Sequence, residues 1–382
     1  MKAPRWQHCV TYSGADLNTF MHDYVRSGTR ACLLVAGAGF DPRTSALARL
    51  LSSEIAGTSS SVKAFFIREQ RPTPGQKLMQ LGDKHTSDLR SMIPGCSVIE
   101  IEVLAEVDRA VVGGQRVISA IFSSVGLFEG ITDVMLDVGA LSLGISFPLA
   151  RYLYETCARS DANFHVFAAS SSGLDDAIKS IPSDVVDPVR GFSGQIDFES
   201  AVEEPKIWLP HLARNRTPSL QRILDSLKGP VKVCPVVPMS QSDPKAGDRL
   251  LAEYEPELMR EWKIDPRDLI YALDDDPLDL YRTISAIYRR TQSVFKDVVR
   301  THLVLSPSGN KVLAIGALMA ALEYDIAVRY VESVGYEVDW EKLQSQERQP
   351  NRFVHVWLHG DPYRFIESET AAQPGAKETA SS

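Results

Sequence analysis

The sequence predicts an α/β protein made of two Rossmann-like, parallel-sheet halves, and three observations carry that prediction. Apolar runs of strand length alternate with amphipathic runs of helix length, the pattern of a parallel sheet covered by helices on both faces. Two strand–loop–helix passages recur in the same order. Cys32-Leu-Leu-Val-Ala-Gly37-Ala-Gly39-Phe-Asp41-Pro-Arg43 and its following helix match residues 231–239 with Asp243-Pro244-Lys245. Val134-Met-Leu-Asp137, the loop to Leu143 and its helix match His302-Leu-Val-Leu-Ser306, the loop to Lys311 and its helix. Such ordered repetition predicts an internal duplication in which Asp41 corresponds to Asp243 and Leu143 to Lys311. Finally, 382 residues with 44% hydrophobic and 24% charged side chains suffice for two ordinary cores.

The elements follow in order. Residues 1–28 read as an N-terminal extension whose Trp6, Tyr12 and Phe20 pack on the first domain, which spans 29–172. Strands are predicted at 31–36, 62–67, 97–102, 134–138 and 164–168, with helices at 44–55, 87–93, 108–128 and 145–158 between them. Residues 173–218 are rich in Pro, Ser, Gly and charge and read as a linker or interdomain loop. The second domain, 219–366, carries strands at 231–237, 269–272, 302–305 and 326–331 and helices at 246–261, 280–301 and 310–322. A late strand at 353–358 is expected to add antiparallel to its edge. Residues 367–382 have almost no apolar side chains and read as a disordered tail.

Bulk properties exclude several classes of function. A net charge of −8 speaks against a generally basic nucleic-acid surface, so no direct nucleic-acid binding is expected. The five cysteines are scattered, odd in number and without a CxxC pair, as free thiols in a reducing compartment would be. The N-terminus has no apolar secretory stretch, and the richest apolar run, 312–322, is too short to cross a membrane and reads as a buried crossover helix. A cytoplasmic location is expected.

Ligands of open α/β sheets sit beyond the carboxyl ends of the strands, and the informative loops all fall there. Gly37 and Gly39 leave bare backbone amides before the helix that starts at Thr44, where a phosphate, carboxylate or adenosine group could lie; the same glycines could merely allow a tight turn. Asp41 and Arg43 suit an anion clamp or, equally, a helix cap beside a solvated cation. Ser306, Ser308, Gly309, Asn310 and Lys311 place two hydroxyls, an amide and an ammonium at a helix start, which suits an anionic or nucleotide ligand. The matching loop offers a carboxylate, Asp137, and no cation. The alternative for both loops is two well-capped crossover helices.

Two resemblances follow from these motifs. Ser306-Pro-Ser-Gly-Asn-Lys311 with Ala314-Ile-Gly-Ala317 resembles the strand-TGGTK-helix motif of CARF domains, Rossmann-like sensors of cyclic oligoadenylate in prokaryotic antiviral systems. The resemblance covers residues 301–336 and implies that Ser306, Ser308, Gly309, Asn310 and Lys311 contact ligand phosphates; Asn310 stands where that motif has Thr. Val35-Ala-Gly-Ala-Gly-Phe-Asp41-Pro-Arg43 is similar to the GAGxDxR sequence of carboxyl methyltransferases that use S-adenosylmethionine, which implies ribose binding by Glu69 at the next strand end.

Other constellations are weaker. Asp274, Asp275, Asp276 and Asp279 fit a loop and helix cap better than a cation site. His355 and His359 share a strand face but lack further ligands for zinc. No nucleophile elbow or Ser-His-Asp order is present. The residues therefore predict a binding module for an anionic, nucleotide-like ligand, with a protein partner or a second copy of the chain, and the resemblance to CARF domains implies an antiviral or conflict setting. The alternatives are a methyltransferase with S-adenosylmethionine as cofactor, or a structural subunit of a defence complex.

Overall fold

The computed structural model describes residues 3–364 apart from 108, 124–125, 195–202, 296–297 and 347–351, so the tail at 367–382 lies outside the described residues. In chain order the elements are β1 (Val10–Ser13), α1 (Gly14–Arg26), β2 (Ala31–Gly37), α2 (Ala46–Ile55), β3 (Ser61–Gln70), α3 (Gln76–Met92), β4 (Ser97–Glu102) and α4 (Gly113–Phe122). Next come β5 (Asp133–Asp137), α5 (Leu143–Ser160), β6 (Asn163–Ser170), α6 (Ser172–Ala177), β7 (Ile178–Pro188), β8 (Lys206–Pro210) and α7 (Thr217–Ser226). The remainder is β9 (Val231–Val233), β10 (Val236–Met239), α8 (Ala246–Glu253), β11 (Ile270–Leu273), α9 (Pro277–Phe295), β12 (His302–Ser306), α10 (Lys311–Tyr324), β13 (Ala327–Val338), α11 (Trp340–Gln346) and β14 (Arg352–His359).

The protein is mixed α/β with parallel-dominated sheets. One sheet runs β1-β14-β6-β5-β2-β3-β4, and β2 to β6 are mutually parallel. The other runs β7-β13-β12-β8-β9. Past the break at Cys234–Pro235 it continues, because Val236 bridges to His211 and β10 pairs in parallel with β11. Each half thus repeats one order: β6-β5-β2-β3-β4, and β13-β12-β8-β9/β10-β11. Each also adds an antiparallel strand beside the last parallel one, β14 on β6 and β7 on β13.

That shared order corrects one sequence expectation. The first strand of the second half is β8, not residues 231–237, which form the second strand. Asp41 therefore has its counterpart in the loop after Pro210, and Asp243 corresponds to the end of β3. The second pairing stands: Leu143 and Lys311 are both the first residues of their helices. The stretch 173–218 is no plain linker, since it supplies α6, β7, the central strand β8 and the start of α7. Prolines at 205 and 210 bracket β8 and make it read as a loop, although its Ile207, Trp208 and Leu209 pair with β12 along their whole length. The strand at 352–359 is not on the edge of the second half. It lies inside the first sheet, between β1 and β6, and buries Val354 to Leu358.

Helices from both halves share the space between the sheets. One apolar cluster joins Leu33, Val35 and Val166 of the first sheet to Leu209, Leu303 and Leu305 of the second through α4, α5, α9 and α10. The outer faces carry separate clusters under α1, α2 and α3 and under α7 and α8. A helix enclosed in this way must be apolar all round, and every residue of α10 from Val312 to Ala321 is buried. Gly316 permits that depth, since a Cβ there would lie 2.4 Å from the Pro277 carbonyl oxygen of α9. Among the described residues no helix is long and apolar enough to cross a membrane.

Candidate ligand-binding cleft

The carboxyl ends of β2, β3, β5 and β6 and those of β8, β10, β11 and β12 open onto one cavity of about 480 Å³ between the halves. Gly39, Asp41, Arg43, Ser306, Ser308, Gly309, Asn310 and Lys311 all line it, while Gly37 and Asp137 do not.

In the first half the glycines divide their work. A Cβ on Gly37 would stand 2.8 Å from the Ala140 carbonyl oxygen, so this glycine lets the β5 loop pack on β2; a Cβ on Gly39 would meet open space. Asp41 caps the turn at Pro42 by accepting from the Arg43 amide at 2.9 Å. Arg43 is not solvated: its side chain is 6% exposed, holding Asp41 at 2.7 Å and Asp175 at 2.6 Å. Burial opposes the Asp41 charge, but the Arg43 guanidinium holds the carboxyl below its usual range.

Asp137 sits beneath the floor, accepting from the Gly139 amide at 2.8 Å. Burial, with some help from Asp41, pushes its carboxyl up to about 7. Below about pH 4 it is protonated in folded and unfolded chains alike. As the pH rises toward 7 the unfolded chain releases that proton and the folded one keeps it, so stability falls, by about 4 kcal/mol at most, and then levels off. Asp137→Asn should lack this fall, and thermal melts of both proteins from pH 4 to 8 check it; parallel curves would make Asp137 an ordinary carboxylate.

In the second half the hydroxyls and the amide have structural partners. Ser306 Oγ accepts from the Trp208 indole N–H at 2.8 Å, and Ser308 Oγ donates to the His211 carbonyl. Asn310 caps α10 by accepting from the Val312 and Leu313 amides, and its NH2 donates to the Asp274 carbonyl. Gly309 takes φ +72°, and a Cβ there would lie 2.5 Å from Ala213 Cβ. Lys311 reaches across the cleft, its Nζ donating to the Leu141 carbonyl at 2.5 Å. Burial pulls that ammonium below the ordinary lysine range, against the field of Glu69.

Glu69 also reaches the cavity, but both of its oxygens are engaged: Oε1 accepts from the Ser142 amide at 2.7 Å and Oε2 from Arg71 at 2.5 Å. Ribose binding there would first have to break these bonds. Sequence reading missed Arg71, which joins Glu69 to the buried Glu332 of β13 at 3.0 Å. Two signals could have found this ion pair. Glu69 and Arg71 are two apart at a strand end and so share a face. Glu332 is a carboxylate in the middle of a mostly apolar strand, where burial requires a partner. Asp175 and Arg216 carry no such signal, because both lie in the stretch 173–218, whose Pro, Ser, Gly and charge hide its elements.

Other candidates resolve simply. Asp276 and Asp279 accept from the Leu278 and Leu273 amides, and Asp275 pairs with Arg352. Groups of three or more His, Cys, Asp or Glu able to hold a metal are absent among the described residues. His355 is fully buried beside His165, at 2.9 Å.

Fold and cleft define a two-lobed α/β protein whose halves direct their strand-end loops at one shared cavity. No family model matches the chain, and no curated protein matches it. Among solved structures, a protein described as a universal stress protein from Pseudomonas aeruginosa is 12% identical, covering 86% of this chain and 98% of its own, at a TM-score of 0.23. The cytoplasmic domain of a prokaryotic cation chloride cotransporter is 8% identical, with 80% and 96% covered and a TM-score of 0.24. A phosphoethanolamine N-methyltransferase from Haemonchus contortus is 8% identical, with 90% and 92% covered and a TM-score of 0.19. Scores this low carry no argument about this chain.

Proposed function

We propose that this protein binds a small anionic ligand of nucleotide type between its halves and acts as a cytoplasmic sensor rather than a catalyst. The observation that carries the reading is the convergence of strand-end loops from both sheets on one cavity, with Lys311 spanning it. In α/β sheets this is where ligands bind. A ligand touching both halves would change how they sit together, which is what a sensor needs. The antiviral setting, and a protein partner or second copy that receives the signal, rest on the CARF resemblance of residues 301–336 alone.

The test is a thermal-shift screen of linear and cyclic nucleotides, with S-adenosylmethionine as the competing cofactor. A binder at 100 times its dissociation constant adds about 2.7 kcal/mol. No shift with any nucleotide would end the reading, and a shift with S-adenosylmethionine alone would favour the methyltransferase. Lys311→Ala should keep the fold and weaken the binding of such a nucleotide by about 1.5 to 3 kcal/mol, the size of one charge-assisted hydrogen bond, as titration calorimetry would show.

A further inference from the structure

One corner of the cleft differs from the rest of its wall. Most cations there are already neutralised: Arg43 by Asp41 and Asp175, Arg71 by Glu69 and Glu332, Arg214 by Asp176 and Glu253, Arg249 by Asp243. The corner instead presents Phe40 from the first half and Tyr336 from the second, with ring centroids 5.0 Å apart at 58°. Leu78 and Met79 of α3 continue the apolar surface, and Met79 is 41% exposed. The corner is built rather than incidental. A His85 ring nitrogen lies 3.0 Å from the Gly39 carbonyl and ties α3 to the Phe40 loop, while Thr73 Oγ1 donates to the Val334 carbonyl at 3.0 Å and ties the same half to β13. Tyr336 pairs with Ser180 in the β13–β7 ladder, and Arg216 donates to Ser180 Oγ. Arg216 has no carboxylate partner among the described residues.

Half-buried aromatic rings at the cleft wall, beside a guanidinium that no carboxylate neutralises among the described residues, suit a planar base joined to a phosphate. Bases stack on aromatic rings whatever their hydrogen-bonding edge, and arginine holds phosphate in a bidentate fork. We infer that Phe40, Met79, Tyr336 and Arg216 form a base-and-phosphate subsite, so that the ligand is recognised by an aromatic base as well as by its charge. This rests on the proposal that the cleft binds an anionic ligand.

The full-length protein is titrated by calorimetry with ATP and, separately, with inorganic tripolyphosphate, which carries the charge without the base. Wild type should prefer ATP by about tenfold or more, the effect of one base–aromatic stack. Phe40→Ala should bring that preference close to one, and Phe40→Leu, which keeps apolar bulk and therefore the fold, should do the same. Arg216→Gln should weaken both probes. Equal wild-type affinities, or a preference that survives both Phe40 variants, would overturn the base subsite and leave the anion reading standing. If neither probe binds, the base-and-phosphate subsite falls, and the anionic-ligand reading falls with it only when the wider nucleotide screen also shows no shift.

Discussion

Trp208→Ala should lower stability by about 3 to 5 kcal/mol, the cost of emptying a large aromatic side chain from a packed core. Trp208 is fully buried at the centre of β8 and packs edge-on against Trp262, with centroids 5.6 Å apart at 70°. It also satisfies Ser306 at the end of β12, so the truncation leaves both a cavity and a lone buried hydroxyl. Trp208→Phe retains most of the packing and should cost clearly less. Urea denaturation of the three proteins measures the difference, and a loss below about 1 kcal/mol for Trp208→Ala would mean that β8 is not the centre of the second sheet.

Arg71→Ala should cost a similar amount, about 3 to 5 kcal/mol, for an electrostatic reason. Removing one partner of a buried ion pair strands the other. The Glu332 side chain is only 4% exposed and that of Glu69 12%, and Arg71 also donates to the Ser333 carbonyl. Its guanidinium lies 5.1 Å from the Tyr336 ring centre, so the same change loosens the cleft wall. Glu332→Gln in the Arg71→Ala background should recover part of the loss, because it removes the stranded charge. A double-mutant cycle reads this directly, and additive losses, within about 0.5 kcal/mol, would show that the pair is not coupled.

Legibility varied from element to element for physical reasons. Buried parallel strands such as β5 and β12 are short apolar runs, and the enclosed α10 is apolar on every side, so both were recognisable from residues alone. The start of α3 is hard to read from residues, since the face it buries is made of Gly82, His85 and Thr86 with Leu89 and not of an apolar stripe. The strand β8 was hidden by its two prolines, and that single omission shifted the first pairing of the halves by one strand. In the cleft, Lys311 and the loop before it stood out as a dense cluster of polar types in a helix-start position. What those side chains do did not: Ser306, Ser308 and Asn310 are spent on Trp208, His211 and the α10 amides, partners up to 98 residues away.

By itself the sequence determined the α/β class, the alternation of strands and helices, and the loops that fall at strand ends, because these follow from local periodicity and from the turn chemistry of Gly, Pro, Asn and Asp. Tertiary structure alone decided that β14 crosses back into the first sheet, that Arg71 meets Glu332 261 residues away, and that Phe40 and Tyr336 share a corner. Contacts between distant segments leave no periodic trace, since each side chain is chosen for a partner that only the folded chain brings near.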